Sequence, residues 1–295
     1  MNQDKTFQEY MPLLFSIAYQ MLGSAMDADD CLQEAYVRWH TALERGEAIQ
    51  SAKTYLCTIV THLCIDQARS ARARRETYVG VWLPEPLVAS DSTDPAEMAD
   101  FAEALSMALF LLLERLSPVE RAVFLLRQIF DYEYAEIAQI VEKSEENCRQ
   151  IVRRARQHLD TRHLHQEVSL EQREQLTQQF YQACTTGDME GLLSLLAKDV
   201  VMHSDGGGKV NAARNPIYGA EKVARGLLGI VHKMSADLAW RTMLVNGQPG
   251  FVAYLNAMPV SVVYIEIGED HIQEIDIIIN PDKLQQIPHL SLEEK

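Results

Sequence analysis

Residues 134 to 159 read "YAEIAQIVEKSEENCRQIVRRARQHL". The spacing predicts a short helix from Tyr134 to Val141, a tight turn through Glu142 and Lys143, and Ser144 as the N-cap of a longer helix reaching about Leu159. Cys148, Val152, Ala155 and Leu159 form the inner stripe of that second helix, whereas Arg149, Arg153 and Arg156 fall on another face at i, i+4 and i+7. Such a helix-turn-helix offers guanidinium groups of a size and geometry suited to base edges in a major groove. Any helical hairpin with a basic outer face would share the pattern, so the rest of the chain must be read with it.

A chain of 295 residues has room for two or three domains, each with its own core. Its net charge of -15 opposes indiscriminate nucleic-acid binding, but the sign changes locally. "RSARARR", Arg69 to Arg75, carries four arginines and no acid, and Lys143 to Arg162 holds six basic residues against three acidic ones. Two basic patches on an acidic chain predict selective, placed contacts.

The five cysteines Cys31, Cys57, Cys64, Cys148 and Cys184 never form C-x-x-C, which predicts buried thiols rather than a disulfide framework or metal centre. No apolar run approaches the ~18 residues a membrane span needs, and "MNQDKTFQEY" lacks the basic flank and apolar segment of a secretory signal. A cytoplasmic protein without cofactor or metal is expected.

Residues 5 to 80 read as a helical bundle. Phe7, Met11, Leu14, Ala18 and Met21 make one inward stripe. Leu32, Ala35, Trp39 and Leu43 make a second, after Asp27 as N-cap. A third helix spans Ala52 to Arg75 with Tyr55, Ile59, Leu63 and Ala68 inward. At "VWLPEPL", Val81 to Leu87, two prolines exclude regular helix, and no lysine or arginine occurs between Glu76 and Glu114. Trp82 and Leu83 in this acidic linker are costly to leave in water and predict a docking site. From about Ser169, helices at Glu171 to Thr185, Met189 to Ala197 and Ala220 to Met234 alternate with the β-rich segments "DVVMHS", "DLAWRTMLV", "GFVAYLNAM", "VSVVYIEIG" and "HIQEIDIIIN". That is an α+β pattern, a curved antiparallel sheet wrapped on helices around a pocket.

Three stretches together resemble the extracytoplasmic-function (ECF) RNA polymerase sigma factors. "DADDCLQEAYVRWHTAL" is similar to the core-binding helix of the sigma-2 domain. "YLCTIVTHLCIDQARSARARRE" is similar to the following helix, which melts and reads the -10 element, and "LERLSPVERAVFLLRQIFDYEYAEIAQIVEKSEENCRQIVRRARQHL" resembles a complete sigma-4 domain. "YVGVWLPEPL", "DGGGKVNAARNPIYG" and "NPDKL" resemble signature segments of the subgroup with a C-terminal SnoaL-like domain of the NTF2-like cone fold. The resemblance implies a multidomain chain: an all-α sigma-2 domain over 1–80, an acidic linker over 81–103, an all-α sigma-4 helix-turn-helix domain over 104–163, and an α+β NTF2-like cone over 169–290.

It also implies partners: bacterial core RNA polymerase, promoter DNA and no membrane, with the chain acting as a monomer. Asp29, Asp30, Gln33, Glu34 and Arg38 would face the clamp helices of the largest subunit, where carboxylates suit arginines; Trp39 reads as core. The second-largest subunit would lie beside sigma-4. Tyr55, His62, Arg69, Arg72, Arg74 and Arg75 would meet the -10 element, with His62 standing where the family suggests Arg or Asn, and with Asp66 pairing an arginine. Asn147, Arg149, Gln150, Arg153, Arg154 and Arg156 would meet the -35 element. The acidic linker would thread positively charged channels of the polymerase.

"HSDGGGKV", 203 to 210, lacks the residues of a phosphate-binding P-loop: Val210 follows Lys209 where a hydroxyl is needed. Its glycines instead permit close backbone approach. Trp82, Leu83, Pro84, Asp205, Gly206, Gly207, Gly208, Lys209, Asn280, Pro281 and Asp282 are expected to form a regulatory contact between cone and linker or helical domains. The rival readings are a small-molecule sensor, with an unknown ligand in the cone, and a SnoaL-like cyclase or isomerase drawing on His203, Asp205, Trp240, Tyr254 and Asp276. An ordinary helix-turn-helix repressor would have no use for the "DADDCLQEAYVRW" helix.

Overall fold

A computed structural model of the chain describes residues 3–75, 77–88, 110, 112–158, 168–234, 237–268 and 270–290. It divides into two compact units, Met1–Thr77 with Leu109–Thr161, and Tyr78–Ala108 with Arg162–Lys295.

In the first unit, helix α1 (Gln3–Leu22) ends at Gly23, whose φ of 69° turns the chain toward α2 (Ala25–Glu44). The N-cap of α2 is Ser24, not Asp27: the Ser24 hydroxyl accepts from the Asp27 N–H at 3.1 Å, which places Asp27 in the first turn. Ala25, Ala28, Cys31, Leu32, Ala35, Trp39 and Ala42 are buried, small residues recurring so that α1 and α3 (Ala52–Arg75) can approach closely. Met11 is corrected from core to surface, with 46% of its area exposed. The inward face of α3 is displaced by about one position from the expected one. Leu56, Cys57, Val60, Thr61, Cys64 and Ile65 are buried, whereas Tyr55, Ile59 and Leu63 are half-exposed. The rotation is set by neighbours on a second side: the Cys57 thiol lies 3.0 Å from the Tyr132 hydroxyl, beyond the three-helix bundle.

Helix α4 (Pro118–Gln128) opens with a capping box formed by Ser117 and Glu120 and buries an unbroken run from Arg121 to Leu126. Arg121 is buried without an apolar substitute: its guanidinium donates to the Leu113 carbonyl at 3.1 Å, the Met21 carbonyl at 2.9 Å and Glu114 Oε1 at 2.7 Å. The planar fork therefore ties α4 to the end of α1 with every bond charge-assisted. Helices α5 (Tyr134–Ile140) and α6 (Glu145–His158) form the expected hairpin, with Glu142 at φ 53° in the turn and the Ser144 hydroxyl accepting from Asn147 N–H at 3.2 Å. Leu159 and the acidic stretch 89–103 lie outside the described residues.

In the second unit, α7 (Leu170–Thr186) is capped by Ser169 and stopped by Gly187, and Asp188 caps α8 (Met189–Leu195). The chain then enters a six-stranded sheet of order β2-β1-β6-β5-β4-β3, comprising β1 (Leu196–Asp205), β2 (Ile217–Tyr218), β3 (Ala239–Val245), β4 (Gln248–Leu255), β5 (Met258–Ile267) and β6 (Ile272–Ile278). Helix α9 (Ala220–Lys233) follows β2. The sheet is mixed rather than wholly antiparallel: β1 runs parallel to β6, with His203 opposite Asp276. The helices and long connection between these strands allow the parallel pairing, which a hairpin cannot make. Between β3 and β4, Asn246 and Gly247 both take positive φ, 49° and 74°, the conformation that a tight two-residue hairpin requires. The apolar core joins Phe180, Leu192, Met202, Val223, Leu227, Phe251, Ile265 and Ile275 from helices and the concave sheet face. This is an α+β architecture, with helices packed against one face of a six-stranded sheet.

Candidate functional site

Three surfaces carry the residues singled out in the sequence. On α2, Asp29, Asp30, Gln33, Glu34 and Arg38 are all exposed, and the Arg38 Nε–H donates to Glu34 at 2.8 Å one turn back. Partial burial, reinforced by the adjacent Asp30 carboxylate, holds Asp29 above the usual carboxylate range. Trp39 is 4% exposed and belongs to the core. Met26 and Val37, 46% and 58% exposed, stand on this helix as well and went unnoticed in the sequence. A stripe of acids and amides interleaved with uncovered apolar groups suits a protein partner better than a merely hydrated face does.

Along α3, Tyr55 is half-exposed, with its ring 5.9 Å from that of Trp39, and His62 is half-buried. Asp66 pairs with Arg69 at 3.1 Å, both exposed. The α3 backbone continues through Arg72, Arg74 and Arg75, whose side chains lie outside the described residues.

Cys148, Ile151, Val152 and Ala155 bury the inner side of α6, leaving Asn147, Arg149, Gln150, Arg153, Arg154 and Arg156 exposed. These arginines are not equivalent. Arg149 donates to Glu145 at 2.7 Å and its guanidinium lies 5.0 Å above the Tyr134 ring, while Arg156 bonds Gln128 Oε1 at 3.0 Å through Nε. Arg153 and Arg154 are exposed and have no such partner among the described residues.

Within the second unit, Asp205 is the centre of a buried anchor. One carboxylate oxygen accepts from the Tyr78 hydroxyl at 2.6 Å and the Gly207 N–H at 3.0 Å. The other accepts from the Leu83 N–H at 2.9 Å and the Lys283 ammonium at 2.6 Å. Lys283 also donates to the Leu83 carbonyl and sits 4.2 Å from the centre of the Trp82 ring. Leu83 and Pro84 are buried, Leu83 completely. Further along, Leu87 and Asn246 exchange two bonds, 2.9 Å and 2.7 Å, and Val88 makes a β-bridge to Val245 on the edge strand β3. Burial and the bond to Asp205 raise the Tyr78 phenol well above its ordinary range.

The glycines now have a physical reason. Gly207 sits at φ 61°, and a Cβ there would meet Asn280 Nδ2 at 2.4 Å; Gly208 at φ 71° faces the Val79 side chain. Asn280 uses that space to donate to Tyr78 at 2.8 Å and to cap the 3-10 turn Pro281–Lys283. Gly206 is likewise closed in, its Cβ position lying 2.6 Å from the Val210 carbonyl. Lys209 takes no part in the anchor; it pairs with Asp282 at 2.5 Å, both side chains 53% exposed. Pro281 is exposed. Tyr78 and Lys283 lay within the segments "YVGVWLPEPL" and "NPDKL" but were not singled out as contact residues in the sequence, although a lysine after the apolar run of β6 was a visible signal.

The cone encloses a cavity of about 700 Å³ lined by Phe180, Tyr181, Met202, Trp240, Phe251, Val263 and Ile277, with Ser204, Ser261 and Asn211 as polar points. Its described lining contains no Asp, Glu, His, Lys or Arg. Of the residues a cyclase or isomerase would have drawn on, only Trp240 lines this cavity. On β1, Met202 and Ser204 face it, so strand alternation turns His203 and Asp205 to the opposite side; Ile277 and Ile279 likewise turn Asp276 away. Tyr254 bonds the Met243 sulfur instead. The expected acid–base set is therefore not assembled around the pocket.

A helical unit with an acid- and amide-bearing α2, an arginine-ended α3 and a basic helix-turn-helix is the domain pair of a sigma factor. Residues 6–74 match Sigma-70 region 2 and residues 106–159 match Sigma-70, region 4. The chain is 34% identical to the ECF RNA polymerase sigma factor SigJ of Mycobacterium tuberculosis (strain ATCC 25618 / H37Rv), across 96% of this chain and 93% of that one. It is 30% identical to the probable ECF RNA polymerase sigma factor SigI of the same strain, across 93% and 92%. The crystal structure of Mycobacterium tuberculosis SigJ superposes with a TM-score of 0.76 at 31% identity, over 94% of this chain and 97% of that one. The chain belongs to the ECF RNA polymerase sigma factor family. It is accordingly a transcription initiation factor that binds core RNA polymerase and directs promoter-specific initiation, with an α+β domain at its C-terminal side.

Proposed function

We propose that the cone modulates initiation by holding the linker segment that leaves the first helical domain. The observation that carries this reading is the Asp205 anchor, in which buried charge and backbone bonds fix Tyr78 and Leu83 on the cone. Sigma-2 is assigned to 1–80, the linker to 81–103, sigma-4 to 104–163 and the cone to 169–290. Asp29, Asp30, Gln33, Glu34 and Arg38 contact the clamp helices of the polymerase largest subunit, and sigma-4 lies beside the second-largest subunit. Tyr55, His62 and the arginines of α3 meet the -10 element, and α6 meets the -35 element. The site of action is the cytoplasm. In vitro transcription with bacterial core polymerase tests this: Asp205→Asn should change the amount of transcript while leaving the preferred promoter sequence as it was. Unchanged output would remove the regulatory role of the anchor.

A second reading concerns the cone alone. Its apolar cavity fits an uncharged small molecule with one or two hydrogen-bonding atoms, sensed without turnover. Saturable binding of Nile red by the full chain, abolished by the cavity-filling Ser261→Trp, supports that role; binding unaffected by the substitution removes it.

A further inference from the structure

The face of the sheet opposite the cavity carries an unusual concentration of charge. In the register of β5, β6 and β1, Tyr264 lies opposite Asp276 and Asp276 opposite His203, while Glu266 lies directly opposite Glu274 in the neighbouring row. Like charges paired across strands destabilise a sheet. Among the described residues of these three strands, the imidazole of His203 meets both carboxylates, its Nδ1 standing 2.9 Å from Glu274 Oε1 and 2.9 Å from Asp276 Oδ1, while the charge of Arg173 on α7 reaches the neighbouring Tyr264. Asp276 is fully buried, and its second oxygen, Oδ2, has no hydrogen-bond partner among the described residues. A buried carboxylate oxygen left bare costs more than the hydrogen bond it lacks.

We infer that His203, Glu274 and Asp276 form a binding site for one divalent transition-metal cation. One ligand atom from each of the three residues can be chosen so that all lie within 4.8 Å of one another. Metal–nitrogen and metal–oxygen bonds of about 2.1 Å at right angles separate donors by about 3.0 Å, close to the spacing His203 Nδ1 already keeps from both carboxylates. One imidazole and two carboxylates form a mixed nitrogen and oxygen donor set that suits Mn²⁺, Fe²⁺ or Zn²⁺ rather than a thiolate-seeking ion. A doubly charged cation would neutralise Glu274 and Asp276 at once, and Glu266 nearby, itself holding the Tyr264 hydroxyl at 2.6 Å, would deepen the negative potential. The site lies on strands rather than loops and is partly open, Glu274 exposing 22% and His203 15% of its side chain.

The test uses the untagged full chain stripped with EDTA and titrated with Mn²⁺, which the buried thiols bind poorly; free Mn²⁺ is counted by electron paramagnetic resonance and binding heat by calorimetry. One equivalent should bind and raise Tm by about 5 °C at a hundredfold excess over Kd. Glu274→Gln, part exposed and able to keep a hydrogen bond to His203, should weaken binding more than about 100-fold, as loss of a direct ligand exceeds loss of an outer partner. His203→Gln provides an independent second variant. Absence of binding by the wild-type chain, or binding by Glu274→Gln equal to wild type, overturns the inference and leaves a closed network of one charged imidazole between two carboxylates.

Discussion

Asp205 and Lys283 form a buried ion pair, 2.6 Å between Oδ2 and Nζ, with 0% and 8% of their side chains exposed. Their partners in sequence are far apart, but the pair is where the linker's Leu83 backbone, the end of β1 and the turn after β6 meet. Removing one member strands the other charge away from water. Lys283→Met should destabilise the cone by about 3–5 kcal/mol in urea unfolding, and Asp205→Asn combined with Lys283→Met should recover part of that loss. Equal and additive costs would mean the charges do not act as a pair.

The neighbouring pair Lys209–Asp282 is a contrast, because both side chains are 53% exposed. Lys209→Ala should cost no more than about 1 kcal/mol. Gly207→Ala, two residues before, should cost more than about 1 kcal/mol, since it combines φ 61° with a Cβ 2.4 Å from Asn280. Chemical denaturation midpoints of the two variants, measured together, separate charge from backbone effects.

On α6, Arg153 is exposed and without a partner among the described residues, whereas Arg149 is engaged by Glu145 and Tyr134. Arg153→Ala should leave Tm unchanged. If it reads a guanine edge, promoter selection at one position of the -35 element weakens by about 1–3 kcal/mol; if it meets phosphate, binding falls evenly across sequences and the salt dependence becomes shallower. Competition binding of holoenzyme to a promoter set with single base changes distinguishes these outcomes.

Arg121 holds two backbone carbonyls and Glu114 from inside the helical unit. Arg121→Met should destabilise that unit by about 3–5 kcal/mol, seen as an earlier helical transition by circular dichroism. Arg121→Lys should not restore the wild-type value, because a single ammonium cannot reproduce the fork.

Burial pushes the Cys184 thiol up to about 12. Neutral iodoacetamide should therefore leave it unmodified at pH 8 in the native chain, with rapid labelling only after urea unfolding, as mass spectrometry of peptides would show. Native labelling at pH 8 would mean that the reagent reaches Cys184 through the cavity it lines.

Much of the helical unit was legible because its signals are local. Ser144 and the apolar spacing of α6 define a helix whatever surrounds it, and the α3 span of Ala52 to Arg75 was read at its full length. Which side of α3 is buried was not local: the contact with Tyr132 lies 75 positions away and turns Leu56 and Cys57 inward in place of Tyr55. Similarly, Asp27 was a sound cap by composition, but Gly23 bends the chain early enough for Ser24 to take that position.

By itself, the sequence determined the helix-turn-helix, the helices of the bundle, the strand-rich tail and the need for glycines after Asp205, since periodicity, capping and backbone freedom act over a few residues. Only the tertiary structure decided that His203 and Asp276 meet on one face of the sheet while Met202 and Ile277 line the cavity on the other. It also decided that Lys283 reaches Asp205 and the linker. Strand alternation reveals that two residues are on opposite faces, but which face holds the cavity and which strands are neighbours depend on register and long-range pairing, and those are settled only when the whole sheet closes on its helices.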